Sequence, residues 1–199
     1  MDLGSVEYIG GHGLQGAFEG CDSLTTLDLS SLAGIIENFS LESAFKDCPN
    51  LTSTGINWNN ITSINDTGLG YAFCGCSSID EDIYIPNVRK IIYNGMTWAF
   101  AGTGITSFSM PNLVECEYDA LNSVCKGCQD LETVNLHNLK ETNNWNFCDT
   151  FRDCPSLRTV DLFNVQDFGE GLHHTFDGCT SLEWVDFGGA GEIPSLYDG

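Results

Sequence analysis

One short pattern returns seven times along the 199 residues: a small residue and an aromatic, one variable residue, a Gly or Asp, and then usually a Cys. The copies are Ala17-Phe18-Glu19-Gly20-Cys21, Ala44-Phe45-Lys46-Asp47-Cys48, Ala72-Phe73-Cys74-Gly75-Cys76, Ala99-Phe100-Ala101-Gly102-Thr103, Val124-Cys125-Lys126-Gly127-Cys128, Thr150-Phe151-Arg152-Asp153-Cys154 and Thr175-Phe176-Asp177-Gly178-Cys179. Successive second residues stand 27, 28, 27, 25, 26 and 25 apart. Self-similarity at such a period restricts a chain to architectures in which one unit stacks on the next. No single unit can bury its own apolar face, so the core must run continuously between neighbours.

Behind each motif the hydrophobic residues take a fixed spacing. The first copy has Leu24, Leu27, Leu29 and Leu32, and later copies repeat it with Ile105, Phe108, Met110, Leu113 and with Leu157, Val160, Leu162, Val165. Copies two and three carry one extra residue, giving Leu51, Ile56, Trp58, Ile61 and Ile79, Ile83, Ile85, Val88. The alternating central pair predicts a short strand with one buried face. The other half of each repeat is looser, anchored by residues such as Ile36, Phe39, Ile64, Ile92, Met96, Trp145, Phe147 and Phe168.

The L-x-x-L-x-L spacing with its AF-x-[GD]-C-x-[SN]-L variant resembles the BspA-like leucine-rich repeats, over essentially the whole chain from Leu3 to Phe187. The resemblance implies an α/β solenoid: a right-handed superhelix of about seven coils, with one parallel β-sheet face and short helical or irregular turns opposite. Residues 1–199 then form a single solenoid. Asp2-Leu3-Gly4-Ser5-Val6 aligns with Asp28-Leu29-Ser30-Ser31-Leu32, so the chain is expected to open partway through a repeat, as a piece of a longer array. Residues 188–199 leave the pattern and serve as a cap or a linker.

The charge balance narrows the partners. Twenty-eight Asp and Glu face seven Lys and Arg, a formal net charge of −21, which repels nucleic acid and anionic membranes. No apolar run approaches the ~20 residues that a membrane span needs, and no signal peptide is visible at Met1–Glu7. Of the ten Cys, six (Cys21, Cys48, Cys76, Cys128, Cys154 and Cys179) share one repeat position. They form a column of buried thiols acting as small hydrophobes, although stacked coils would also bring them within disulfide reach. Cys116 and Cys148 lie off that column and are expected to be exposed or specially paired. Cys74-x-Cys76 and Cys125-x-x-Cys128 lack the second close pair that a structural zinc site requires.

The residues between the strand hydrophobics point outward. They give the candidate ligand-contacting set Asp28, Asn57, Tyr84, Asp82, Asn135, Asp161, Asp186 and Trp184, with Tyr84 and Trp184 as its aromatics. An oxygen-rich strip of this kind is either an ordinary solvated face or a place for Ca²⁺; the solvated face is expected, with no metal and no cofactor. Neither G-x-S-x-G nor H-E-x-x-H occurs, and no nucleophile stands at a motif spacing from His173 or His174. The resemblance therefore implies a non-enzymatic binding or adhesion module of a cell-surface or secreted protein, monomeric, taking a protein or glycan ligand. A structural spacer is the alternative and a hydrolase the remote one. Fold-level analogy carries part of this expectation.

Overall fold

The computed structural model describes residues 1–142, 145–168 and 172–188. Ten short strands follow one another: β1 (Gly34–Ile36), β2 (Ile61–Ile64), β3 (Ile83–Tyr84), β4 (Lys90–Ile91), β5 (Ser107–Ser109), β6 (Glu115–Cys116), β7 (Thr133–Asn135), β8 (Glu141–Thr142), β9 (Thr159–Asp161) and β10 (Trp184–Asp186). They build a parallel-strand solenoid of about six turns that carries two sheets. The first has the order β10-β9-β7-β5-β3 and the second β1-β2-β4-β6-β8, every pairing parallel. Isolated bridges Asp2 to Asp28 and Leu29 to Ile56 prolong the first sheet toward the N-terminus. The bridge at Asp2 follows the alignment of Asp2–Val6 with Asp28–Leu32.

The first sheet is the one that the alternating pairs predict. Ile83, Phe108, Val134 and Val160 stand in register and are buried, as are Ile85, Met110, Leu136 and Leu162 two residues on. The second sheet replaces the single-sheet expectation. Its inward residues Ile36, Ile64, Ile91, Cys116 and Thr142 form one buried register column. Apart from β2, which buries Ile61 as well as Ile64, strands this short carry one inward residue each, so no alternation announces them. Cys116 is accordingly neither exposed nor specially paired but fully buried between Ile91 and Thr142, while Cys148 is half-buried. Likewise Ile91, not Ile92, points into the core, and Trp145 is 41% exposed.

A third face holds the repeated motif. Its alternate N–H groups bond back three residues within the coil, as Ala44 to Leu41 and Lys46 to Ser43. The intervening N–H groups donate to the next coil: Phe18 to Ala44, Phe45 to Ala72, Phe73 to Ala99, Phe100 to Val124. This leaves the backbone satisfied by consecutive turns rather than by a helix. Among the described residues the helix content is one 3-10 turn, Trp58–Asn60.

Three columns of the motif acquire physical roles there. The Gly or Asp before the Cys (Thr103 in the fourth copy) is left-handed in all seven copies, with φ of 69° at Gly20, 56° at Asp47, 77° at Gly75, 69° at Gly102, 73° at Gly127, 59° at Asp153 and 74° at Gly178. Gly adopts this region freely and Asp is one of the few other residues that tolerates it. The Phe column stacks in parallel, with centroids 5.6 Å apart for Phe18–Phe45, 5.5 Å for Phe45–Phe73 and 5.9 Å for Phe73–Phe100. Cys125 interrupts it, fully buried, and its carbonyl accepts the Cys154 thiol at 3.0 Å. Cys48, Cys76, Cys128 and Cys179 similarly donate their thiols, at 3.0–3.1 Å, to the carbonyls of Phe18, Phe45, Phe100 and Phe151 in the preceding coil. Of the proposed cap or linker, residues 189–199 lie outside the described residues.

Candidate ligand-binding face

The outward side of the first sheet presents two rows. One runs Tyr84, Ser109, Asn135, Asp161, Asp186 and the other Ser107, Thr133, Thr159, Trp184, each in register across neighbouring strands. Tyr84 lies on one edge strand, β3, and Trp184 on the other, β10, so the two aromatics bracket the sheet instead of forming one patch. They expose 51% and 52% of their surface.

The acidic and amide members of the set are engaged locally. The Oδ1 atoms of Asp28, Asn57, Asn135, Asp161 and Asp186 accept the N–H of the second residue on: Ser30 (3.0 Å), Asn59 (3.3 Å), His137 (3.1 Å), Phe163 (3.1 Å) and Gly188 (2.8 Å). Asp2 does the same for Gly4 at 3.0 Å. These Asx turns end the strand by supplying the acceptor that its ladder no longer provides. At Tyr84 and Ser109 the second residue on is Pro86 or Pro111, which has no N–H to satisfy. The column is therefore Asx wherever a donor must be met, and something else where proline removes it.

Two members of the set are displaced from their expected places. Asn57 is not on a strand: it caps the 3-10 turn, and Ile56 pairs with Leu29, which puts Asn57 opposite Ser30 rather than Asp28. The extra residue of copy two is absorbed at Gly55 (φ 67°), where a Cβ would come within 2.4 Å of the Leu27 carbonyl oxygen. Asp82 precedes β3 and holds the Thr106 and Ser107 hydroxyls of the next coil at 2.6 and 2.8 Å. Those two hydrogen bonds, Thr106 first, lower its carboxyl below the usual range. The Ser30 hydroxyl does the same for Asp28, helped by the Ser30 N–H. His137 reaches Asp161 at 2.9 Å and stacks on Phe163 at 5.1 Å. Among the described residues no group of three or more His, Cys, Asp or Glu is arranged to hold a metal ion.

Sequence reasoning missed a second column beside the first. The Nδ2 of Asn60, Asn87, Asn112, Asn138 and Asn164 donates to the carbonyl of Ser30, Asn59, Pro86, Pro111 and His137, one coil back, at 3.4, 2.8, 2.9, 2.7 and 2.7 Å. Its signal was available: Asn stands directly before the last hydrophobic residue of the spacing in five successive copies.

Comparison with known families agrees with this geometry. The family model described as BspA type leucine rich repeat region matches six copies, over residues 5–126 and 99–193. The chain belongs to this family. As a BspA type repeat array it is similar to two solved structures. A leucine-rich repeat protein from Bacteroides ovatus is 17% identical with a TM-score of 0.31, over 85% of this chain and 62% of that one. A leucine rich cell surface protein from Faecalibacterium prausnitzii is 15% identical with a TM-score of 0.30, over 86% and 62%. The BspA type chain thus spans 62% of the length of each solved relative. No curated protein matches it. Among the described residues no helix is long and apolar enough to cross a membrane.

Proposed function

We propose that the chain is a non-enzymatic binding module displayed on a cell surface or secreted, monomeric, which presents its first-sheet face to a protein or glycan. Family membership supports the class of function. The observation that carries the site is that Tyr84 and Trp184 keep half their surface open on that face, while its Asp and Asn residues are spent on turns. Half-exposed aromatics of this kind are the side chains that anchor interfaces. A right-handed winding belongs to the same proposal, supported by the handedness of crossovers between parallel strands.

The test is binding of the purified chain to a glycan array and to a panel of immobilised extracellular proteins, with the Tyr84→Ala/Trp184→Ala double variant beside it. Half of each ring is buried, so binding is compared at a temperature where the melts show the parent and the variant both folded. Loss of the bound signal supports the sheet face, and an unchanged signal removes it. Silence of the parent chain on every probe favours the spacer reading instead.

A further inference from the structure

In a chain with 28 acids and seven bases, a cation should find a carboxylate. Five do. Lys46 reaches Glu19 at 2.7 Å, Lys90 reaches Glu115 and Glu117 at 2.8 and 2.5 Å, Lys126 and Arg152 share Asp149 at 3.2 Å each, and Arg158 lies 3.5 Å from Glu183. Arg89 and Lys140 form no ion pair among the described residues. Both line the same cavity, of about 260 Å³, together with Asn112, Val114 and Asn138.

The repeat explains how they meet. Arg89, Val114 and Lys140 occupy one position on three consecutive coils, tied by the Val114 N–H to the Arg89 carbonyl (2.8 Å) and the Lys140 N–H to the Val114 carbonyl (2.9 Å). Coils about 4.8 Å apart place the two cationic stems roughly 10 Å from each other. The short Val114 between them leaves room that a longer side chain would fill. Glu115, the next residue, is already held by Lys90 and does not neutralise the pair.

The geometry points to a binding site for an acidic sugar residue of the uronic-acid type in this cavity. Its carboxylate would sit between Arg89, whose planar fork suits carboxylates, and Lys140. Asn112 and Asn138 each use one Nδ2–H on the preceding coil, at Pro86 and Pro111, which fixes the amides and leaves each its Oδ1 and second N–H. Each open Oδ1 can take a donor, and the several hydroxyls of a sugar ring supply more donors around the carboxylate than inorganic phosphate or a simple carboxylate does. The cavity is smaller than the roughly 300–1,000 Å³ of drug-sized sites, which matches a single sugar residue. The net charge of −21 admits one carboxylate here but opposes a long polyanion. The site does not rest on the sheet face of Tyr84 and Trp184, so either reading can fail alone.

Calorimetric titration of the intact chain with glucuronate, glucose and inorganic phosphate tests the site. Glucuronate should bind, with glucose and phosphate each about tenfold weaker or more. Arg89→Ala and Lys140→Ala should each weaken glucuronate about tenfold, and Arg158→Ala and the Tyr84→Ala/Trp184→Ala variant should leave it unchanged. Arg89→Gln and Lys140→Gln, checked for an unaltered melting temperature, repeat the measurement should either alanine variant fold poorly. Absence of glucuronate binding, equal binding of phosphate, or indifference to Arg89 and Lys140 overturns the proposal.

Discussion

The stacked Phe column makes a quantitative demand on stability. Phe73 is fully buried and stacks on Phe45 at 5.5 Å and Phe100 at 5.9 Å. Phe18, at the end of the same column, is only half-buried and has the single neighbour Phe45. Truncating a buried Phe to Ala costs about 3–5 kcal/mol, and each aromatic pair adds about 0.5–1.5 kcal/mol beyond its buried area. Phe73→Ala removes two pairs and every buried atom beyond Cβ, so a loss of about 4 kcal/mol or more is expected. Phe18→Ala removes one pair and part of a half-buried ring, so about 1.5–2 kcal/mol is expected. Because each coil contacts only its neighbours, the central loss should also weaken the coupling between the two halves of the array. Urea unfolding followed by far-ultraviolet circular dichroism reads both effects: a lower midpoint for each variant, and a broadened or split transition for Phe73→Ala alone. Equal losses at the two positions would refute the view that the stack from Phe18 to Phe100 is a continuous, mutually supported core.

The thiol column and the left-handed positions give further expectations. Burial, before any charge effect, pushes the Cys76 thiol up to about 12 and those of Cys74 and Cys179 up to about 11, from an ordinary 9.0. The unfolded chain therefore loses these protons first, and stability that is complete below about pH 9 should fall as pH rises toward 11–12; unfolding midpoints at pH 8 and 10.5 check the sign. Iodoacetamide at pH 8 should correspondingly label Cys76 far more slowly in the native than in the unfolded chain. Gly102→Ala introduces left-handed strain but no contact closer than 3.8 Å, so about 1 kcal/mol should be lost. Gly75→Ala carries the same strain and also places its Cβ 2.4 Å from the Asp47 Oδ1, so the loss should be larger. Thermal melts of the two variants decide the order.

What the sequence disclosed follows from how many residues each element spends on its pattern. The first sheet has two inward residues per coil, as in Leu27 and Leu29 or Val134 and Leu136, and such a pair is legible as alternation. Most strands of the second sheet have one, as in Ile36, Ile91 or Cys116, and one residue has no period; in β2 the buried Ile61 and Ile64 stand three apart and do not alternate. The thiol column was legible because a Cys is rare enough to mark its own repeat position. Arg89 and Lys140 were not, because they stand two coils apart with Val114 between them, and only the stacking makes them neighbours. In each case the information lay at a fixed repeat position, visible once the coils are aligned by register instead of by motif alone.

The Asp and Asn column shows why outward position is a poor guide to a ligand site, and it yields a test of its own. If Asn135 serves the His137 N–H, Asn135→Ala should lose about 0.5–1 kcal/mol, the net worth of an exposed hydrogen bond. If proline governs the exceptions, Tyr84→Asn should gain nothing, because Pro86 has no N–H to donate. Adding Pro86→Ala restores the donor, so the asparagine should then be worth about 0.5–1 kcal/mol more than it is beside proline. Urea unfolding of the four chains of that cycle gives the coupling directly. A coupling of zero would mean that the turn does not select Asx at this position. The acidic residues would then need another reason for being where they are, with ligand contact again the leading one. A favourable coupling leaves Tyr84 in that row, and Trp184 in the row beside it, as the large outward side chains not spent on turns, which narrows any partner of the sheet to one that can use the two from opposite edges.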